Sequence, residues 1–112
     1  MSSIPFTVIN WNDLPVHKKP GSTGESISQV VDYPGLRVRI VEYSAGYLAD
    51  HWCRKGHIIH CLEGSFTSEL ETGDRFELKA GMSYIVSDDA SSHRSSTAEG
   101  CRLLIIDGEF LG

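Results

Sequence analysis

Leu36-Arg37-Val38-Arg39-Ile40 alternates apolar with charged residues and runs on through Val41-Glu42-Tyr43. A period of two is the mark of a strand with one covered face. With Leu36, Val38 and Ile40 on that face, the same parity points Glu42 inward, where a carboxylate needs a hydrogen-bond donor, a cation or a metal. A bend near Ser44-Ala45-Gly46 releases Glu42 to solvent instead, and this is the simpler reading because acids are rarely buried.

Working outward, Ile27 to Val31 reads as a strand stopped by Asp32-Tyr33-Pro34-Gly35, where Pro-Gly supplies a tight turn and makes a hairpin with Leu36. Further back, Ile4 to Ile9 is a short β-prone run, broken by Trp11-Asn12-Asp13-Leu14-Pro15. Val16 to Glu25, with Lys18-Lys19-Pro20-Gly21-Ser22-Thr23-Gly24, has loop chemistry and reads as a mobile arm. Downstream, strands are expected at Ser65 to Leu70, Arg75 to Leu78 and Tyr84 to Val86, separated by Glu71-Thr72-Gly73-Asp74 and Ala80-Gly81. Glu63 and Gly64 read as a strand-ending turn, and Asp88-Asp89 leads through a Ser-rich loop to His93. Cys101 to Ile106 is apolar on both faces, as in a strand covered on both sides. No segment has a sustained helical period, so the expected class is an all-β sandwich or barrel with little or no helix.

The 112 residues are one domain's worth of chain. A net charge of -5 with no basic run excludes a phosphate-backbone partner, so no nucleic acid is expected. No apolar run approaches the roughly 20 residues of a membrane span. Met1-Ser2-Ser3-Ile4-Pro5-Phe6 lacks a basic leader with an apolar stretch, which predicts a cytoplasmic protein. Three cysteines, an odd number, argue against a disulfide framework and leave reduced thiols for chemistry.

Four of the five histidines and two of the three cysteines fall between residues 51 and 93. Within His51-Trp52-Cys53-Arg54-Lys55-Gly56-His57, His51 and Cys53 are two apart, so on a strand both emerge on one face. If Arg54-Lys55-Gly56 turns the chain back, His57 lies opposite that pair, while His93 comes from elsewhere in the fold. Imidazole nitrogen and thiolate sulfur suit zinc, and also iron, copper or nickel, whereas magnesium and calcium prefer oxygen.

The run from Gly46 through His57 to Cys61-Leu62-Glu63-Gly64 resembles the first conserved motif of the cupin superfamily, and Gly81 through Ser87-Asp88-Asp89 to His93 resembles the second. The likeness extends from about Ile4 to Asp107 and is strongest to small bacterial cupins named for an Asp, His, Cys and Trp signature. It implies a jelly-roll β-barrel, a double-stranded β-helix, with a metal site inside that is often open to a small substrate. Residues 1–112 are then one cupin domain, with 1–35 an N-terminal extension and strand region and 36–107 the barrel core. The first motif expects His, His and Glu where this chain has His51, Cys53 and His57, and His93 fills the histidine of the second. The resemblance therefore implies one divalent transition-metal ion held by His51, Cys53, His57 and His93. Exchanging a carboxylate for a thiolate keeps one negative charge but softens the site, away from manganese and towards zinc first, with iron, nickel or copper as alternatives. Ser87, Asp89 and Thr97 stand near where the second motif carries Pro, Gly and Asn.

Plainer readings stand beside these. Cys53 is alternatively a small buried hydrophobe, and His57 a hydrogen-bonded core histidine; the ligand reading is preferred for both. His60 has the opposite parity to His57 and should face away from the site, Cys61 reads as core filler, and His17 as a surface residue. Trp52 should lie under the N-terminal segment or a dimer mate, and since small jelly rolls commonly pair, a homodimer is expected. Three functions fit: a metal-binding cupin of unassigned activity; a metal-dependent oxygenase or isomerase on a small polar substrate, with Tyr47, Tyr84, Glu42 and Arg94 as candidate contacts; or a metal-free ligand-binding or interaction module.

Overall fold

A computed structural model describes residues 3–112; Met1 and Ser2, which open the N-terminal stretch read above, lie outside the described residues. The strands are β1 (His17–Pro20), β2 (Glu25–Tyr33), β3 (Leu36–Tyr43), β4 (His57–Leu70), β5 (Arg75–Lys79), β6 (Ser83–Val86), β7 (His93–Ser96) and β8 (Cys101–Gly108). Short 3-10 turns at Trp11–Asp13 and Glu109–Leu111 are the helical elements. Every strand pairing is antiparallel, in the order β1-β2-β3-β8-β4-β5, with β6 and β7 also paired to β4. No helix of the described residues is long and apolar enough to cross a membrane.

β4 closes this jelly roll. Its first half pairs with β8 and β6, and its second half with β5 and β7, so one 14-residue strand serves both sheets. The change of sheet falls at a register shift between Cys61 and Glu63. There Gly64 has φ +75°, and an added Cβ would lie 2.4 Å from the Gly100 carbonyl oxygen, so glycine is required. Glu63-Gly64 is thus a bulge inside a continuous strand rather than the strand-ending turn expected, because the bend is taken without breaking the ladder.

The barrel interior holds one apolar cluster of Val41, Ile59, Cys61, Phe66, Leu78, Cys101, Leu103 and Ile105. Val41 pairs with Leu103, and Arg39 with Ile105, which puts Arg39, Val41 and Tyr43 on the inner face of β3. The face of β3 read as inward is therefore the outer one. Ile40 is nonetheless buried there, flanked by Gln29 and Leu104 across the sheet, and the Gln29 amide donates to the Trp11 and Leu14 carbonyls of the N-terminal segment. Both faces of β3 are covered in part, so the apolar alternation marked the wrong side. Glu42 is exposed, as preferred, but through parity rather than a bend, with Arg102 Nε 3.7 Å away.

Two N-terminal expectations fail. Ile4 to Ile9 forms no strand, and Phe6 is 96% exposed; β-propensity without a partner strand does not order a segment. The arm at 16–25 is instead largely a hairpin, since His17–Pro20 pairs with β2 and Gly21 N–H closes the turn onto the Gly24 carbonyl. Its proline ends an edge strand, where the missing donor costs nothing.

Candidate metal centre

Between β3 and β4 the chain forms only isolated bridges, one of them joining Cys53 to His93. Cys53 N–H donates to the His93 carbonyl at 2.7 Å and His93 N–H returns a bond to the Cys53 carbonyl at 3.0 Å. This fixes the Cys53 loop to the first residue of β7. A second clasp lies just beyond: Asp89, at φ 59°, donates its N–H to the Arg54 carbonyl. His57 opens β4 opposite Val86, and the preceding Gly56 N–H donates to Asp88 Oδ1 at 2.6 Å. A Cβ at Gly56 would come within 2.6 Å of the Asp88 nitrogen, so only glycine lets this loop seat so closely beside His57.

These three anchors bring together Cys53, His57 and His93, whose ligand atoms lie within 4.8 Å of one another. Cys53 Sγ is 3.4 Å from His57 Nε2, close to the roughly 3.5 Å separating sulfur and nitrogen on a tetrahedral zinc ion. Both histidines are buried. His57 Nδ1–H donates to the Asp107 carboxylate, and Arg39 Nη2 donates to the other Asp107 oxygen at 3.2 Å. His93 Nδ1–H donates to the Ser91 carbonyl at 2.8 Å. Each ring therefore spends its Nδ1 proton on a fixed acceptor and turns its Nε2 inward, the arrangement of metal-ligating histidines. His93 Nε2 is buried without a hydrogen-bond partner.

Charge follows from these contacts. The hydrogen bond with His57 above all, with the neighbouring His93 ring adding to it, holds the Cys53 thiol down at about 5 against the opposing effect of burial. Burial works to raise the Asp107 pKa, but His57 and Arg39 together keep it below the usual carboxylate range. For His57, burial works downward and is outweighed by Asp107 and Cys53, so its pKa rises. Burial pushes the Tyr84 phenol up strongly, leaving a permanent O–H donor.

This yields a reactivity prediction. In metal-free protein, iodoacetamide will label Cys53 first, at a rate nearly flat from pH 7 to 9, because its thiolate is already formed and partly exposed. Cys61 is enclosed and its thiol raised by burial, and Cys101 is pushed up to about 12, so both stay protonated. Peptide mass mapping reads the order; labelling of Cys101 ahead of Cys53 contradicts it.

His51 is not in the group. Its Nδ1 lies 2.6 Å from the Asp50 carboxylate, and its side chain is 64% exposed. The strand assumed for residues 51–53 does not form, so the shared face of His51 and Cys53 is lost. His51 still lines the cavity above the three donors, a space of about 220 Å³ whose lining also includes Arg39, Tyr43, Tyr47, Tyr84 and Ser95, with Val41, Ile59 and Ile105 from the core. Tyr47 stacks on Tyr43 with centroids 4.1 Å apart. His60 has the expected outward parity and meets the Ser83 hydroxyl at 2.7 Å, while Cys61 is core. Trp52 is covered by Arg94, whose guanidinium sits 4.5 Å from the ring centroid and whose Nε donates to Glu69. The sequence reading missed Asp107 and Arg39. The signal for Asp107 was an acid at the end of the apolar strand, in phase with Leu103 and Ile105.

No protein-family model matches the sequence and no curated protein is similar to it by sequence. Solved structures supply the class. The chain superposes on a cupin superfamily protein from Desulfitobacterium hafniense with a TM-score of 0.65 at 10% identity, covering 74% of this chain and 76% of that one. KdgF from Halomonas sp. gives a TM-score of 0.62 at 18% identity over 75% and 79% of the two chains. Fe(II)-HppE, solved with an alternative substrate, gives 0.75 at 13% identity over 92% of this chain, which spans 60% of the length of HppE. The fold is that of the cupins.

A buried imidazole nitrogen without a partner, a second imidazole backed by a carboxylate and a low-pKa thiol are together a soft, anionic transition-metal set.

Proposed function

We propose that this cupin holds one divalent transition-metal ion on Cys53, His57 and His93 and uses it to bind or transform a small molecule. The observation that supports this most is the orphaned, buried Nε2 of His93 beside the Cys53–His57 pair. Three protein ligands leave at least one coordination position free, which favours a working site over a closed structural one. One thiolate and two imidazoles suit zinc, iron or copper. Bound there, such an ion supplies Lewis acidity or a redox couple. The chain's own groups do the rest: Asp107 and the Ser91 carbonyl fix the two rings, and Arg39 fixes Asp107.

Elemental analysis of protein purified without a tag or chelator is the test. About one equivalent of metal is expected in wild type and little in His93→Ala, and the bound ion will shield Cys53 from iodoacetamide. Protein that folds, contains no metal and takes up none on reconstitution with zinc, iron or copper overturns the reading.

A further inference from the structure

Among the described residues, three buried side-chain nitrogen or oxygen atoms have no hydrogen-bond partner: Arg39 Nε, Tyr84 Oη and His93 Nε2. All three residues line the same 220 Å³ cavity. The proposed ion accounts for His93. The other two are donors, since guanidinium is always charged and the Tyr84 phenol stays protonated. The Ser68 hydroxyl stands near Tyr84 but outside hydrogen-bonding geometry. A buried donor without an acceptor costs about 1–3 kcal/mol. The two residues that carry them border one cavity, which makes it the place for something that accepts.

The charge around them says what kind of acceptor. The cavity lining includes Lys19, Arg39 and Arg94 but no aspartate or glutamate, in a chain whose net charge is -5. Arg94 is already held by Glu69, which leaves Arg39 and the exposed Lys19. Arg39 and a divalent ion outweigh the Asp107 carboxylate and the Cys53 thiolate by one positive charge, an excess that a monoanion cancels and a neutral molecule does not. The volume lies below the roughly 300–1,000 Å³ of drug-sized ligand sites, so the molecule is small. We propose that the cavity binds a small organic monocarboxylate, its oxygens accepting from Arg39 and Tyr84; the charge balance rests on the metal reading above.

Nuclear magnetic resonance titration of isotope-labelled protein tests this, with acetate and lactate set against acetamide and lactamide, in metal-free and zinc-loaded samples of known zinc content. In the zinc-loaded protein the acids should bind at least tenfold more tightly than their amides, with shifts centred on Arg39 and Tyr84. Tyr84→Phe should weaken acetate and lactate about tenfold while leaving the thermal midpoint equal or higher, because the hydroxyl removed has no partner in the folded chain. Equal affinity for acid and amide, or a Tyr84→Phe variant that loses stability and keeps its affinity, overturns the proposal. If zinc loads but acids are not preferred, the carboxylate proposal fails and the metal reading stands. If zinc does not load, the metal reading fails, and the acid-to-amide ratio of the metal-free protein decides the proposal alone.

Discussion

Cys53→Ser will bind zinc about two orders of magnitude more weakly than wild type while keeping its fold. Structural zinc sites with four ligands have apparent binding energies of about 10–16 kcal/mol, so a single ligand is worth roughly 3 kcal/mol, and each 1.4 kcal/mol is a factor of ten. Serine forfeits most of that share. Its hydroxyl does not ionise near neutral pH, whereas Cys53, with a pKa of about 5, brings a formed thiolate, and oxygen is the harder donor. The fold should survive because Cys53 is partly exposed and is tied to His93 through its backbone, which the substitution leaves alone. Competition with a chromophoric chelator at pH 7, with circular dichroism as the control for folding, gives the answer. Affinity for manganese, which gains little from sulfur, should change least. Zinc affinity equal to wild type in a folded variant removes sulfur from the ligand set.

Why Cys53 and His57 were legible and His51 was not is a matter of what holds each in place. His57 belongs to a strand, whose period of two survives into the structure, and the same parity correctly placed Cys61 inside and His60 outside. His93 opens a strand and is located by the motif rather than by any periodicity. His51 and Cys53 lie in irregular chain, where side-chain direction follows from individual hydrogen bonds that no pattern encodes. There Cys53 is aimed by its bridge to His93 and His51 is drawn off by its neighbour Asp50. Leu36–Tyr43 failed in another way: the strand was correct and its inner face was not. Alternation identifies a covered face, but here the N-terminal segment lies against the outer side at Gln29, beside Ile40, while the inner side carries Arg39 for the site. A charged residue on a strand's inner face breaks the hydrophobic pattern where function needs it.

Asp107→Asn should be the most damaging single substitution that keeps side-chain volume. The Asp107 carboxylate accepts from both His57 and Arg39, and it is 10% exposed against 25% for Arg39. Removing one partner of a buried pair leaves the other charge uncompensated and costs about 3–5 kcal/mol; with Arg39 partly open to the cavity, the low end, about 3 kcal/mol, is expected. For a domain of this size that lowers the thermal midpoint by roughly 10–15 °C. The His57 ring also loses the anion that fixes its tautomer, and losses of this kind weaken metal binding about 10- to 100-fold. Zinc makes the two effects separable. At a zinc concentration one hundred times its Kd, wild type gains about 2.7 kcal/mol of stability, and a variant binding 10- to 100-fold more weakly gains about 1.4 to 0.4 kcal/mol. The gap between the thermal midpoints of wild type and variant should therefore widen when zinc is added. A gap of unchanged width, with chelator competition giving equal affinity, would assign Asp107 to the stability of the Arg39 pair alone and leave the orientation of His57 to its packing in the barrel.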